Sequence, residues 1–249
     1  MATKVALVTG AGKRIGADIA RRLAREGYGL ALLARGSIEG AHALAGQIVA
    51  GGGAAEAFEA DLSDPQAAAA TFTGIATRLG PIELLVNNAA IFETDAIATL
   101  DLTKWRRQFA VNLEAPVFLA GAFAAALPGD REGCIVNIID QRVLRLTPQY
   151  LSYTLTKSAL WTATQTLAQA LAPRIRVNAV GPGPTYPSVG QGEAGMSQEA
   201  AGSPLGRAVR GEEIGDAVAY LAGARNVTGQ IICVDAGQHL AWRTPDIVD

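Results

Sequence analysis

Short apolar runs alternating with helix-patterned stretches constrain this chain more than any other feature. Residues 5–8, 30–33, 84–86, 135–139, 175–180 and 231–234 are mostly β-branched or Leu-rich. They lack in/out alternation, as strands buried on both faces do. A further strand is expected after the triple glycine Gly51-Gly52-Gly53 and before Asp61. Between these runs, residues 14–25, 38–50, 65–79, 103–127, 152–172 and 212–222 carry helical spacing. Alternation of this kind predicts one α/β domain over residues 1–249, a parallel sheet with helices on both faces. Residues 181–204 break the pattern with glycine, proline and small polar side chains, and read as a flexible substrate loop.

Composition removes several classes. Hydrophobic residues make up 49% and charged residues 18%, which excludes intrinsic disorder. A net charge of −2 leaves no electrostatic footprint for nucleic acid or an anionic membrane. The longest apolar candidate, residues 115–129, is broken by Pro116, Gly121 and Pro128. It is shorter than the roughly 20 residues of a spanning helix. The apolar run before Thr9 is too brief for a signal-peptide core, so a cytoplasmic protein is expected. Two cysteines, Cys134 and Cys233, cannot form a disulfide framework and read as inert buried thiols. His42 and His239 read as surface histidines without a metal or triad partner, and no metal is expected.

Chemistry enters at the first strand-to-helix turn, Gly10-Ala11-Gly12-Lys13-Arg14-Ile15-Gly16. Glycines there let backbone N–H groups approach a pyrophosphate at the positive end of a helix. Arg14 can serve the pyrophosphate, the substrate or both, or simply fill space. The second strand runs into Ala34-Arg35-Gly36-Ser37 with no acid before Glu39 to hold a ribose 2′-hydroxyl. Arg35 and Ser37 suit a 2′-phosphate, so NADP(H) is preferred, a solvated arginine being the alternative. Tyr153 and Lys157 lie one helical turn apart, where an ammonium is expected to lower the phenol's pKa towards working pH.

Thr9-Gly10-x5-Gly16, Asp61-Leu62, Asn87-Asn88-Ala89, Asn112, Tyr153-x3-Lys157, Gly181-Pro182-Gly183 and the closing Val227-Thr228-Gly229-Gln230 follow one another along nearly the whole chain. In order and spacing they resemble the short-chain dehydrogenases/reductases. The resemblance implies a doubly wound Rossmann-type sheet of about seven strands, NAD(P)-dependent reduction, and a dimer or, as expected here, a homotetramer. It implies that Asp61 and Leu62 flank the adenine, Asn88 the cofactor ribose, and Pro182 and Gly183 the nicotinamide. By the same resemblance Asn112 holds a relay water, Tyr153 protonates the product, and Lys157 binds ribose and tunes Tyr153.

Three departures are more informative. Arg14 replaces the family's middle glycine, Asp140 its usual serine 13 residues before the tyrosine, and Ala90 the last glycine of Asn-Asn-Ala-Gly. All three resemble pteridine reductases, where a ring at the position of Phe92 stacks on the pterin. Asp140 argues the same way on chemical grounds. Ketone reduction builds negative charge on oxygen, which a carboxylate repels by about 4 kcal/mol at 4 Å and an effective dielectric of 20. A C=N bond takes a proton on nitrogen and need form no oxyanion. The expectation is an NADPH-dependent reductase of a dihydropterin-like small molecule, with Arg14, Phe92, Asp140 and Tyr153 at the substrate. A short-chain carbonyl reductase and a non-catalytic NADP-binding sensor are the alternatives. Trp242 and Arg243, in an odd polar–aromatic tail, are expected either to close a neighbouring subunit's pocket or to pack on an interface or their own subunit.

Overall fold

The computed structural model describes residues 4–188 and 191–242. In chain order it holds β1 (Val5–Thr9), α1 (Arg14–Arg25), β2 (Gly29–Ala34), α2 (Ile38–Ala50), β3 (Ala55–Glu59), α3 (Pro65–Leu79) and β4 (Ile82–Asn87). Then follow α4 (Leu102–Phe109), α5 (Ala115–Ala126), β5 (Gly133–Ile138), α6 (Leu151–Leu171), β6 (Ile175–Pro182), α7 (Gly192–Ala201), α8 (Gly211–Gly223) and β7 (Ile231–Val234). The strands form one sheet in the order β3-β2-β1-β4-β5-β6-β7, and every neighbouring pair is parallel. This is the doubly wound Rossmann-type sheet.

Successive strand side chains point to opposite faces, so a strand covered on both sides must be apolar throughout. Along β1, Ala6 and Val8 join Ile19, Leu23, Leu44 and Leu221 of α1, α2 and α8. Leu7, between them, joins Phe72, Leu119 and Phe123 of α3 and α5 on the other face. Local signals set the helix starts. The Asp64 carboxylate accepts the Gln66 and Ala67 N–H groups at 3.0 Å with Pro65 at the first position of α3, and Asp101 accepts Lys104 N–H at 2.8 Å to open α4.

Two expectations need correction. Residues 103–127 are not one regular helix, because a π turn at Ala110–Glu114 separates α4 from α5. Pro116 has no N–H for the Asn112 carbonyl four residues back, so the ladder must slip there. The joined run Leu102–Ala126 has 25 residues, and an 18-residue window within it reaches a mean hydropathy of 1.6, which by length and composition alone is enough to cross a membrane. Reading only residues 115–129 hid this. In the fold its Leu119, Ala120 and Phe123 are buried in the core beside α3 and the sheet. Residues 181–204 are not all loop either, since β6 reaches Pro182 and α7 occupies ten residues. Only Ala200 of α7 is buried, which explains why no apolar stripe announced that helix.

The strand order reverses between β1 and β4. A crevice opens there at the carboxyl ends of the strands, the usual ligand position in such sheets.

Candidate active site

A cleft of about 510 Å³ lies in this crevice. One end is built by the turn from β1 into α1. Gly10 has φ +66°, and a Cβ on Gly16 would lie 2.2 Å from the Gly10 carbonyl oxygen, so both positions need glycine. Lys13 begins α1 without a side-chain cap, and the first turn contains no acid. Unpaired N–H groups at the positive end of a helix, approached over bare glycine backbone, fit a pyrophosphate. Asn88, at the end of β4, donates through Nδ2 to the carbonyls of Thr9 (2.9 Å) and Gly10 (3.3 Å), holding the turn in place. Ile15 also lines the cleft.

At the end of β2, Arg35 and Ser37 sit side by side on the cleft wall with Asp61 and Leu62 from the segment after β3. Arg35 Nη1 is 2.7 Å from Asp61 Oδ2, and the arginine stays more than half exposed. The bond from Ser63 N–H lowers the Asp61 pKa most, with Arg35 contributing, so the pair stays charged. One arm of the guanidinium is thus oriented by Asp61.

The opposite end carries Asp140 after β5, Tyr153 and Lys157 on α6, Pro182 at the end of β6 and Gly183 just beyond it. A Cβ on Gly183 would lie 2.6 Å from Asp235 Cα, so only glycine lets these two loops meet. Tyr153 Oη donates to Asp140 Oδ2 at 3.1 Å. Burial, with Asp140 adding to it, pushes the phenol well above its ordinary value. That overturns the expectation of a tyrosine tuned downward by Lys157. Lys157 Nζ instead donates to the Ile138 carbonyl at 2.8 Å and lies 5.7 Å from the Tyr153 ring centre, and burial lowers its pKa to about 8. Burial raises the Asp140 pKa, while Arg142, at 3.9 Å and through its backbone N–H, opposes that rise. A protonated phenol therefore donates to a carboxyl group in the wall of the cleft.

Asn112 is fully buried within the π turn and does not line the cleft. Its amide is engaged by the Ile91 N–H (2.8 Å), the Ile91 carbonyl (2.9 Å) and Thr156 Oγ1 (3.3 Å), which ties the segment after β4 to α6. Phe92, on that segment, stacks on Tyr150 with ring centres 4.3 Å apart and meets Tyr153 edge-on at 4.7 Å. Arg142 covers both Phe92 and Tyr150, at 5.4 and 4.8 Å. Arg14 has φ +52°, and its Nη2 donates to the Tyr186 and Pro187 carbonyls at 3.1 and 3.2 Å. It therefore clasps the segment after β6, a role outside the alternatives the sequence offered.

Sequence reasoning missed Arg142, Tyr150, Tyr186, Gln191, Glu199 and Gln238, all on the cleft wall. Tyr150 could have been found one turn before Tyr153. Glu199 could not, because it arrives on α7. His239 also departs from expectation: it is only 22% exposed, and its Nδ1 lies 2.6 Å from Asp235 Oδ2. Cys233, Asp235 and His239 place ligand-type atoms within 4.8 Å of one another. The Asp235 carboxylate already accepts the Gly237 and His239 N–H groups, and burial pushes the Cys233 thiol up to about 12, so this corner is a hydrogen-bonded brace for the chain after β7. Trp242 is 61% exposed, so it does not pack into its own subunit's core, and Arg243 lies outside the described residues.

The family model described as enoyl-(acyl carrier protein) reductase matches residues 10–239. An uncharacterized oxidoreductase of Methylorubrum extorquens is 39% identical, covering 94% of this chain and 97% of that protein. A 3-oxoacyl-[acyl-carrier-protein] reductase of Staphylococcus aureus is 31% identical over 96% and 99% of the respective chains. Among solved structures, the FolM alternative dihydrofolate reductase 1 of Brucella canis, complexed with NADP, superposes with a TM-score of 0.95. It shares 48% identity over 99% of this chain and 98% of its own.

Proposed function

The chain belongs to the short-chain dehydrogenase/reductase family, and we propose that it is an NADPH-dependent reductase of the C=N bond in a dihydropterin-like substrate. The contact between Tyr153 and Asp140 carries this reading. NADPH, when bound, supplies the hydride. The residues that would hold it are those of the glycine turn (Gly10, Lys13, Arg14, Ile15, Gly16), Arg35 and Ser37 at the 2′-phosphate, and Asp61, Leu62, Asn88, Lys157, Pro182 and Gly183 along its length. The Brucella FolM proteins, solved with NADP, support that choice.

Tyr153, kept protonated by burial and by Asp140, donates its proton to the substrate nitrogen. Were the substrate a ketone, an oxyanion would form within reach of the same phenol and close to Asp140. At about 4 Å that repulsion is roughly 4 kcal/mol at an effective dielectric of 20, or about a thousandfold in rate. Beside a C=N bond the carboxylate instead favours the protonated, cationic form of the ring. Phe92, held by Tyr150 and Arg142, offers a flat face on which a pterin can stack. A carbonyl reductase is the second reading, favoured by the Staphylococcus aureus relative. Tyr153 and Lys157 would serve it equally, but Asp140 opposes it.

Asp140→Ser tests the assignment. The expected result is lower kcat/KM on a dihydropterin and equal or higher kcat/KM on a simple ketone. A ratio of the two that does not move removes Asp140 from the choice of reaction. We further infer a cytoplasmic homotetramer. Unpaired Cys134 and Cys233 fit a reducing compartment, and exposed Phe118 on α5 and Leu155 on α6 fit contact between copies.

A further inference from the structure

The catalytic helix has no cap of its own. Tyr150 precedes α6 in the left-handed region (φ +57°, ψ +48°) and places no side chain on the first turn. Such a start leaves backbone N–H groups in need of acceptors. They come from a distant residue, Asp95, in the segment between β4 and α4. The Asp95 carbonyl accepts Tyr150 N–H at 3.0 Å, and its carboxylate accepts Ser152 N–H at 3.2 and 3.3 Å. The Ser152 hydroxyl also donates to Asp95 Oδ2, and Gln108 of α4 donates to that hydroxyl. Asp95, Gln108 and Ser152 are all buried. Burial makes the arrangement stringent, because each lost partner leaves a polar group without water to replace it.

Two features connect this cluster to the chemistry. Ser152 immediately precedes Tyr153, so whatever fixes the Ser152 backbone fixes the direction from which the phenol leaves the helix. Asp95 also lies three residues beyond Phe92, whose ring stacks on Tyr150, the residue Asp95 bonds. One carboxylate therefore anchors both the aromatic wall and the start of the helix bearing the proton donor. A negative charge at this helix end is further favoured by the helix dipole.

We propose that Asp95 is a positioning residue, which caps the catalytic helix from outside it and sets Phe92 and Tyr153 in register with each other. This rests on the reading of Tyr153 as proton donor, so the test includes Tyr153→Phe. Asp95→Ala, Asp95→Asn, Ser152→Ala and Tyr153→Phe are compared by NADPH oxidation with a dihydropterin, NADPH affinity and thermal melting. For Asp95→Ala the expected result is a kcat at least tenfold lower and a KM several-fold higher, with NADPH affinity within twofold. Asp95→Asn recovers most of the activity, because its amide oxygen still accepts Ser152 N–H. A fall in melting temperature with kcat and KM unchanged would mean a merely structural role and overturn the proposal. Should Asp95→Ala fail to fold, Ser152→Ala decides, with a several-fold loss of kcat supporting the proposal and an unchanged kcat overturning it. Retained activity in Tyr153→Phe would instead overturn the donor assignment on which the proposal rests.

Discussion

Asp140 and Arg35 each stand where a short-chain reductase makes a choice, and each has a neighbour that decides how it acts. Asp140 is held between the Tyr153 phenol and the Arg142 guanidinium. Arg35 is aimed by Asp61. The sequence showed Arg35 and Asp61 as separate signals, because two residues 26 positions apart have no pattern linking them. Arg35→Asp places a like charge beside Asp61 and beside any 2′-phosphate. NADPH affinity is expected to fall at least tenfold more than NADH affinity, measured by direct titration of each. Equal losses for both cofactors would remove Arg35 from the phosphate site. The pairing of Tyr153 with Lys157 was legible at this scale, but its electrostatics were not. Spacing places the two on one helix face, whereas the phenol's pKa depends on burial and on Asp140, which only the tertiary structure brings near.

At the scale of elements, the central strands were legible because burial on both faces leaves an unbroken apolar signature, and α1, α2 and α3 because their apolar residues recur at helical spacing, with Asp64 capping α3. The misses have local causes. The π turn follows from a single missing N–H at Pro116, and α7 hides because only one of its residues, Ala200, is buried. The site shares this limit. The glycine turn, Tyr153 and Lys157 lie within elements that announce themselves, while Arg142, Gln191 and Glu199 depend on how segments without periodicity fold back. Arg14 shows how one residue joins two elements. It accepts a left-handed backbone, which for a non-glycine residue costs about 1–2 kcal/mol, and from there it reaches the Tyr186 and Pro187 carbonyls. Asp18, one turn further along α1, accepts the Tyr186 hydroxyl, so α1 grips the segment after β6 with two side chains. Arg14→Gly relieves the backbone and releases one of them. The expected outcome in stopped-flow displacement is a several-fold faster NADPH release, with an unchanged or slightly higher melting temperature. Unaltered release would confine Arg14 to a packing role.

For the whole molecule, the sheet places a charged lysine in a region built to exclude water. Lys157 is 2% exposed and loses its proton at about 8, against 10.5 when unfolded. Between those values the unfolded chain binds the additional proton, so this group's contribution to stability improves as pH rises. Below about pH 8 the full penalty of the buried charge applies, and above 10.5 none does. Lys157→Met removes the titration. Its stability advantage over the parent chain, from denaturant melts, is expected to be greatest below pH 8 and to shrink steadily up to 10.5. A flat difference across that window would mean that Lys157 is not buried as a titrating group. The same cleft, with a protonated phenol beside a carboxyl, is the basis for the proposal of C=N reduction. The most direct test is stopped-flow oxidation of NADPH by the parent enzyme with dihydrobiopterin, dihydromonapterin and an acetoacetyl thioester side by side. The expected result is rapid turnover of at least one dihydropterin and little or none of the thioester. Efficient reduction of the thioester with both dihydropterins inert would contradict the assignment.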